Sequence, residues 1–188
     1  MIQVGILLLT CTGALAQVPG FGSCPKVDVV QNFDVSKYLG VWYEVQKYFA
    51  VFEFGGKCIT ANYTQKSDGS VNVLNRQINV LTGKPSTIEG SAKLAGSTNE
   101  GKLSVVFPSV PGQIPAPYWI LDTDYENYAV VFSCTDVTLF HAKIIWILTR
   151  KQDPSKEVLE KAYSVLDKNQ LSRSPLMKTI QKNCTSAH

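Results

Sequence analysis

The sequence predicts an all-β fold: an eight-stranded antiparallel up-and-down β-barrel with one C-terminal α-helix packed on the wall. Three observations carry this. Runs rich in Val, Ile, Tyr, Phe and Trp recur eight times, turn chemistry separates them, and the apolar period then changes once, to a helical one, near the C-terminus. The runs cover residues 40–49, 58–66, 70–80, 86–94, 102–107, 116–123, 127–134 and 142–149. Ser67-Asp68-Gly69 and Thr82-Gly83-Lys84 read as hairpin turns, and Asp124-Tyr125-Glu126-Asn127 as a longer one. Short consecutive connections give an up-and-down order, and eight strands suffice to close a barrel, which leaves no open sheet edge.

Beyond the eighth run, Val158, Leu159, Ala162, Val165 and Leu166 fall at helical spacing, after Asp153 as the expected N-cap and Pro154 at the first helical position. The apolar stripe of this helix needs a partner, and the outer wall of the barrel is the large surface available. The tail from 171 to 188 is polar apart from Leu176, Met177 and Ile180.

With 188 residues and 45% hydrophobic content, the chain suits one well-buried domain. A net charge of +3, with lysines scattered singly, gives no electrostatic footprint for nucleic acid. Residues 1–16 hold an apolar run ending in Ala14-Leu15-Ala16, the small-x-small pattern of signal-peptide cleavage, although no Lys or Arg precedes the run. The run is also far shorter than the ~20 residues of a membrane span. The expected organisation is therefore a signal peptide over 1–16 and one domain over 17–188, secreted and extracellular.

Secretion sets how the cysteines read. Cys11 leaves with the signal, and Cys24, Cys58, Cys134 and Cys184 remain as an even set, so two disulfides are expected, with three pairings open. Two sequons, at Asn62 and Asn183, agree with that compartment, and Asn62 is the better glycosylation candidate.

Strand parity places Ile59, Ala61 and Tyr63 on one face of the second strand, with Asn62 on the other. A glycan on Asn62 must face solvent, so Tyr63 points inward. In the eighth strand Ile144, Trp146, Leu148 and Arg150 share a face, while Ile145, Ile147 and Thr149 sit beneath the helix. A barrel lined this way is either solid or holds one small ligand, and composition leaves both open.

Gly40-Val41-Trp42, Thr123-Asp124-Tyr125 and Thr149-Arg150 resemble, in order and spacing, the three sequence motifs of the lipocalin family. The stretches "LGVWYEV", "CITANYT", "IEGSAKL", "APYWILDTDYENYAVVFSC" and "WILTR" narrow the resemblance to the apolipoprotein D group and its Lazarillo-type insect relatives. The resemblance implies that Trp42 plugs the closed end of a cup and that Arg150 lies over its ring, a cation–π contact. It implies the pairings Cys24 with Cys134 and Cys58 with Cys184. By position it also implies a ligand pocket lined by Tyr63, Asn75, Phe107 and Trp146, to which we add Tyr118: an apolar, aromatic cavity with a few polar groups.

The function expected from this is carriage of a small hydrophobic ligand such as a fatty acid, a steroid or a related lipid. Protection against oxidised lipid is associated with the same group, and Met177 is the chain's one methionine besides Met1. Biliverdin carriage is the alternative, with Arg76 or Lys47 as cations for a tetrapyrrole dianion. A ligand-free protein-interaction module with a filled barrel is another. An enzyme is not expected: the disulfides consume every mature cysteine, and the only histidines, His141 and His188, support neither a triad nor a metal site. No resident cofactor is expected, and a monomer is, since no cysteine is left over for a covalent dimer. Two expected open-end loops, 49–56 and 108–117, are unusually apolar. Phe49, Val51, Phe52, Phe54, Val110 and Ile114 either form a patch for transient contact with a membrane or lipoprotein surface, or fold back as a lid.

Overall fold

The computed structural model describes residues 18–95, 99–110 and 114–184. The expected signal segment at 1–16, Thr185 of the second sequon and His188 lie outside the described residues. Strand β1 (Val18–Phe21) and a one-turn helix α1 (Val35–Tyr38) precede β2 (Gly40–Lys47), β3 (Gly56–Gln65), β4 (Val71–Asn79), β5 (Pro85–Leu94), β6 (Lys102–Val106), β7 (Ala116–Thr123), β8 (Tyr128–Val137) and β9 (Phe140–Thr149). Helix α2 (Lys156–Lys168) and a two-residue strand β10 (Met177–Lys178) follow. Strands β2 to β9 pair in sequence order, and β9 returns to pair with β2, so the eight expected strands form a closed antiparallel barrel.

Turn chemistry accounts for the hairpins. The Asp68 carboxylate accepts from the backbone N–H of Ser70 at 2.9 Å, and Gly69 takes φ +81°. At the next open-end turn Asn79 Oδ1 caps Leu81 N and Thr82 N, and Gly83 takes φ +66°. The last hairpin is longer than sequence indicates, because β8 and β9 stay paired out to Val137 and Phe140 through polar Thr135 and Asp136. Those side chains break the apolar alternation without breaking the backbone ladder.

The helix also starts later than expected. Ser155, not Asp153, is the N-cap: its backbone is extended and its hydroxyl accepts from Val158 N, leaving Pro154 just outside the helix. The stripe Ala162, Val165 and Leu166 is buried against an outer-wall cluster that includes Val130, Phe132, Ile145 and Ile147. A second cluster fills the closed end of the barrel, with Phe33, Tyr38, Trp42, Leu103, Ile120 and Val131. The barrel is thus packed at its base and beneath the helix, which leaves the upper interior for a site.

The two short strands at the chain ends were not legible in the sequence. β1 extends the sheet along Phe140–Lys143 of β9. The C-terminal strap has a larger role, because β2 and β3 pair only from Gly40 to Tyr43 and then part. Above that point Met177 and Lys178 pair with Lys47 and Gln46, Thr179 N donates to Val45 O at 3.0 Å, and Cys58 N donates to Ile180 O at 2.8 Å. Gln181 Nε2 bridges the seam by donating to Glu44 O and Ile59 O, both at 2.8 Å. Two disulfides, Cys24–Cys134 and Cys58–Cys184, fasten the two end segments to the wall.

Candidate functional site

The closed end is built where the three sequence motifs meet. Gly40 has φ +91°, a conformation that favours glycine, and it turns the chain from α1 into β2. Trp42 is fully buried, its Nε1 donating to Tyr38 O at 2.8 Å. The Arg150 guanidinium lies 3.7 Å from the Trp42 ring centroid. Its Nε donates to Tyr125 O at 2.9 Å, its Nη1 to Val41 O at 3.0 Å and its Nη2 to Lys37 O at 3.0 Å. Tyr125 holds the third side: it takes φ +65°, Thr123 Oγ1 accepts from its N–H at 2.9 Å, and its hydroxyl accepts from Asp34 N at 3.1 Å. Asp124 caps the turn, accepting from Asn127 N at 2.7 Å and Tyr128 N at 3.1 Å. One planar, five-donor side chain thus ties α1, β2 and the β7–β8 turn together.

Above this plug lies a floor of tyrosines. The Tyr38 ring tilts against Trp42 at 5.1 Å, and its hydroxyl meets that of Tyr118 at 3.1 Å, which meets that of Tyr63 at 2.6 Å. Burial raises the pKa of all three above the ordinary phenol range, so they stay neutral hydroxyls. Three protons serve two bonds, which leaves one hydroxyl proton uncommitted among the three.

The cavity above the floor has a volume of about 610 Å³, within the range of small-molecule sites. Its walls include Ile59, Ala61, Val73, Val105, Ile144 and Leu148, together with Tyr63, Asn75, Phe107, Tyr118 and Trp146. All five residues singled out as pocket-lining in the sequence therefore face this one space. Gly90 makes room for one of them: a Cβ there would stand 2.6 Å from the Phe107 ring. Tyr118 and Trp146 stack at 6.3 Å. Asn62, on the opposite parity from Tyr63, is half-buried and lies outside the lining, and Asn183 is exposed.

A polar pole near the mouth was missed. Glu44 and Glu53 both line the cavity, and Lys47 Nζ sits between them, 3.0 Å from Glu44 and 2.5 Å from Glu53. Trp146 Nε1 donates to Glu53 at 3.3 Å, and the Thr179 hydroxyl of the strap donates to Glu44. Lys47 is neither a solvated surface residue nor available to a ligand anion, and Arg76 is not among the lining residues. The signal for Glu44 was present in the alternation Gly40, Trp42, Glu44; Glu53 comes from a 3-10 turn at Val51–Glu53 that no periodicity marks. His141 is buried beside β1, its Nδ1 3.1 Å from Gly22 O, and takes no part in the cavity.

Burial, and then the charge of Glu53, pushes the Glu44 carboxyl up from its ordinary 4.5 to about 8, with Lys47 and Thr179 pulling the other way. The folded chain thus keeps a proton that the unfolded chain releases between those values, so this stability is full below about 4.5 and lost as pH rises through about 8. Asp34, Asp68 and Asp124 have lowered pKa values and are already ionised throughout that window. Thermal melts are expected to show a midpoint that falls from about pH 5 to about pH 8. In Glu44→Gln that part of the slope disappears; an unchanged slope would contradict the assignment.

A closed antiparallel barrel with a plugged base, an open cavity and a helix on the wall defines the class of cup-shaped small-ligand binding proteins. The chain belongs to the lipocalin family: the Lipocalin-like domain matches residues 33–181. It is 40% identical over 190 residues to apolipoprotein D of Mus musculus, covering 98% of each chain. It is 34% identical over 197 residues to the Lazarillo protein of Schistocerca americana, covering 100% of this chain and 91% of that one. Among solved structures, insecticyanin of the tobacco hornworm Manduca sexta superposes with a TM-score of 0.80 at 26% identity, covering 92% of this chain and 93% of that one.

Proposed function

We propose that this protein is a secreted, non-enzymatic carrier of a small lipid or steroid, held in the barrel cavity between the tyrosine floor and the open rim. The observation that carries the reading is the apolar cavity of about 610 Å³ with a few convergent polar groups. Both disulfides fit an oxidising compartment, and Asn62 and Asn183 are the glycosylation sites in this reading. The filled-module reading has little support, since the interior above the floor is hollow. Biliverdin is also disfavoured, because no Lys, Arg or His is among the described lining residues and Lys47 is held by two carboxylates. Protection against oxidised lipid would come from sequestration rather than from Met177, which lies on β10 outside the cavity lining.

The rim supports delivery at a lipid surface by a monomer. Phe52, Phe54, Leu81, Ile114 and Leu139 are exposed on four different open-end loops and Phe140 at the start of β9, although Phe52 and Val110 also line the cavity mouth. Titration of the disulfide-intact protein with progesterone, a long-chain fatty acid and biliverdin, followed by Trp146 fluorescence, tests the carrier reading. Saturable quenching by one of the first two, faster when the ligand is offered from liposomes and slowed in Phe52→Ser/Phe54→Ser, is expected. No saturable quenching would overturn the carrier reading, and transfer unaffected by the two serines would overturn rim contact.

A further inference from the structure

The open rim is not evenly charged. At one corner the β2–β3 loop, the β4–β5 turn and the C-terminal strap meet. Val80 N donates to Gly55 O at 2.9 Å, which joins the turn to the loop. A groove of about 240 Å³ between loop and strap is lined by Phe49, Phe54, Met177, Lys178 and Ile180 among others. The apolar tips project instead of packing: Phe54 is 78% exposed and Leu81 91%. Around them stand Lys57 at the head of β3, Lys84 in the β4–β5 turn and Lys178 on β10. Residues 48–57, 79–86 and 175–181 contain a single acid, Glu53, and it is held by Lys47 and Trp146 rather than facing outward. The rest of the rim differs. At the β8–β9 tip Val137, Leu139 and Phe140 are exposed beside an exposed acid, Asp136, and residues 107–115 carry no charge at all.

We infer that this corner docks on the anionic phospholipid face of a bilayer, with Phe54, Leu81 and Ile180 at the acyl boundary and Lys57, Lys84 and Lys178 among the head groups. This rests on the rim-contact reading and narrows it to one corner of the rim and one sign of lipid. Apolar tips alone bind zwitterionic and anionic surfaces alike, whereas tips flanked by lysines gain from negative head groups. Lysine suits the position, because its stem lies along apolar surface while its ammonium stays at head-group level. Each lysine held near an anionic surface strengthens binding by about fivefold. Projecting, separated side chains fit a fluid surface better than a protein partner, whose interface needs matched shape. The corner also adjoins the mouth, since Phe52 of the same loop lines the cavity. Docking there brings the cavity entrance to the lipid.

Vesicles of phosphatidylcholine alone, and of phosphatidylcholine with about a third phosphatidylserine, separate charge from apolar area. Flotation of the disulfide-intact protein at about 0.1 M NaCl should show at least about tenfold stronger partition into the serine vesicles. That preference should vanish at about 1 M, where the screening length falls to about 3 Å. Lys84→Gln/Lys178→Gln should lower partition into the serine vesicles at least about tenfold and leave the phosphatidylcholine value unchanged. Lys66→Gln/Lys93→Gln removes the same charge from exposed positions at the closed end, a strand length away, and should change neither value by more than about twofold. Equal partition into both vesicle types, or the same loss from both lysine pairs, overturns the inference alone. No partition into either overturns rim contact as well, and leaves the carrier reading to the fluorescence titration. Salt-sensitive binding to polyglutamate with none to the serine vesicles would assign the corner to an acidic protein and overturn the lipid assignment.

Discussion

Trp42→Ala is expected to cost about 3–5 kcal/mol of stability, the range for deleting a buried large aromatic side chain. The base of the barrel cannot collapse to fill the gap, because Gly40 and Trp42 lie on a strand held on one side by Ala61 and Tyr63 of β3 and, from Tyr43 onward, on the other by β9. The loss also strips Arg150 of the ring it covers at 3.7 Å, while the arginine's hydrogen bonds to Tyr125, Val41 and Lys37 carbonyls remain. Arg150→Ala should therefore cost less than Trp42→Ala, and a double-mutant cycle in urea should give a coupling of about 1–2 kcal/mol, a desolvated cation–π contact. Additive single costs would mean that Arg150 acts only as a clamp on the carbonyls. Since Tyr38 tilts against Trp42 and its hydroxyl reaches that of Tyr118, which meets Tyr63, Trp42→Ala should also weaken ligand binding without touching a lining residue.

How much of this could be read in the sequence depended on the kind of signal each part leaves. The eight strands were legible because alternation and turn residues are local, and the walls of the cavity followed from parity alone: once Tyr63 and Trp146 point inward, so do Ala61, Ile144 and Leu148. The plug was legible through a resemblance, since nothing in composition says that Arg150 must reach a ring more than a hundred residues away. Parts made by few residues at long range left no pattern. β10 is two residues long, and its place in the seam depends on where β2 and β3 separate, a consequence of barrel geometry rather than of local preference. Lys47 looked like a lone surface cation because its partners come from the same strand three residues earlier and from a 3-10 turn beyond the strand's end. The polar pole at the cavity mouth was hidden for the same reason: it is a property of three side chains meeting, not of any one of them.

Removing the Cys58–Cys184 bridge, as Cys58→Ser/Cys184→Ser, is expected to cost about 4–5 kcal/mol, since it releases a loop longer than the 100 residues for which chain entropy alone gives about 4.7 kcal/mol. The two cysteines are 126 residues apart, and those of the other bridge, Cys24 and Cys134, are 110 apart. On entropy alone the two deletions would differ by only about 0.1 kcal/mol, so a larger difference reports what each bridge holds in the folded state. Cys24–Cys134 holds a segment outside the barrel ring, where Cys24 N also donates to Asp136. Cys58–Cys184 holds the strap that fills the seam between β2 and β3, with Thr179 on Glu44 and Gln181 across both strands. Urea melts of the two double-serine variants should therefore show the greater loss for Cys58/Cys184, with hydrogen exchange speeding first at Cys58 N and Thr179 N. Equal losses and unchanged exchange at those amides would mean that the strap stays seated without its bridge, held by its backbone pairing and by Gln181.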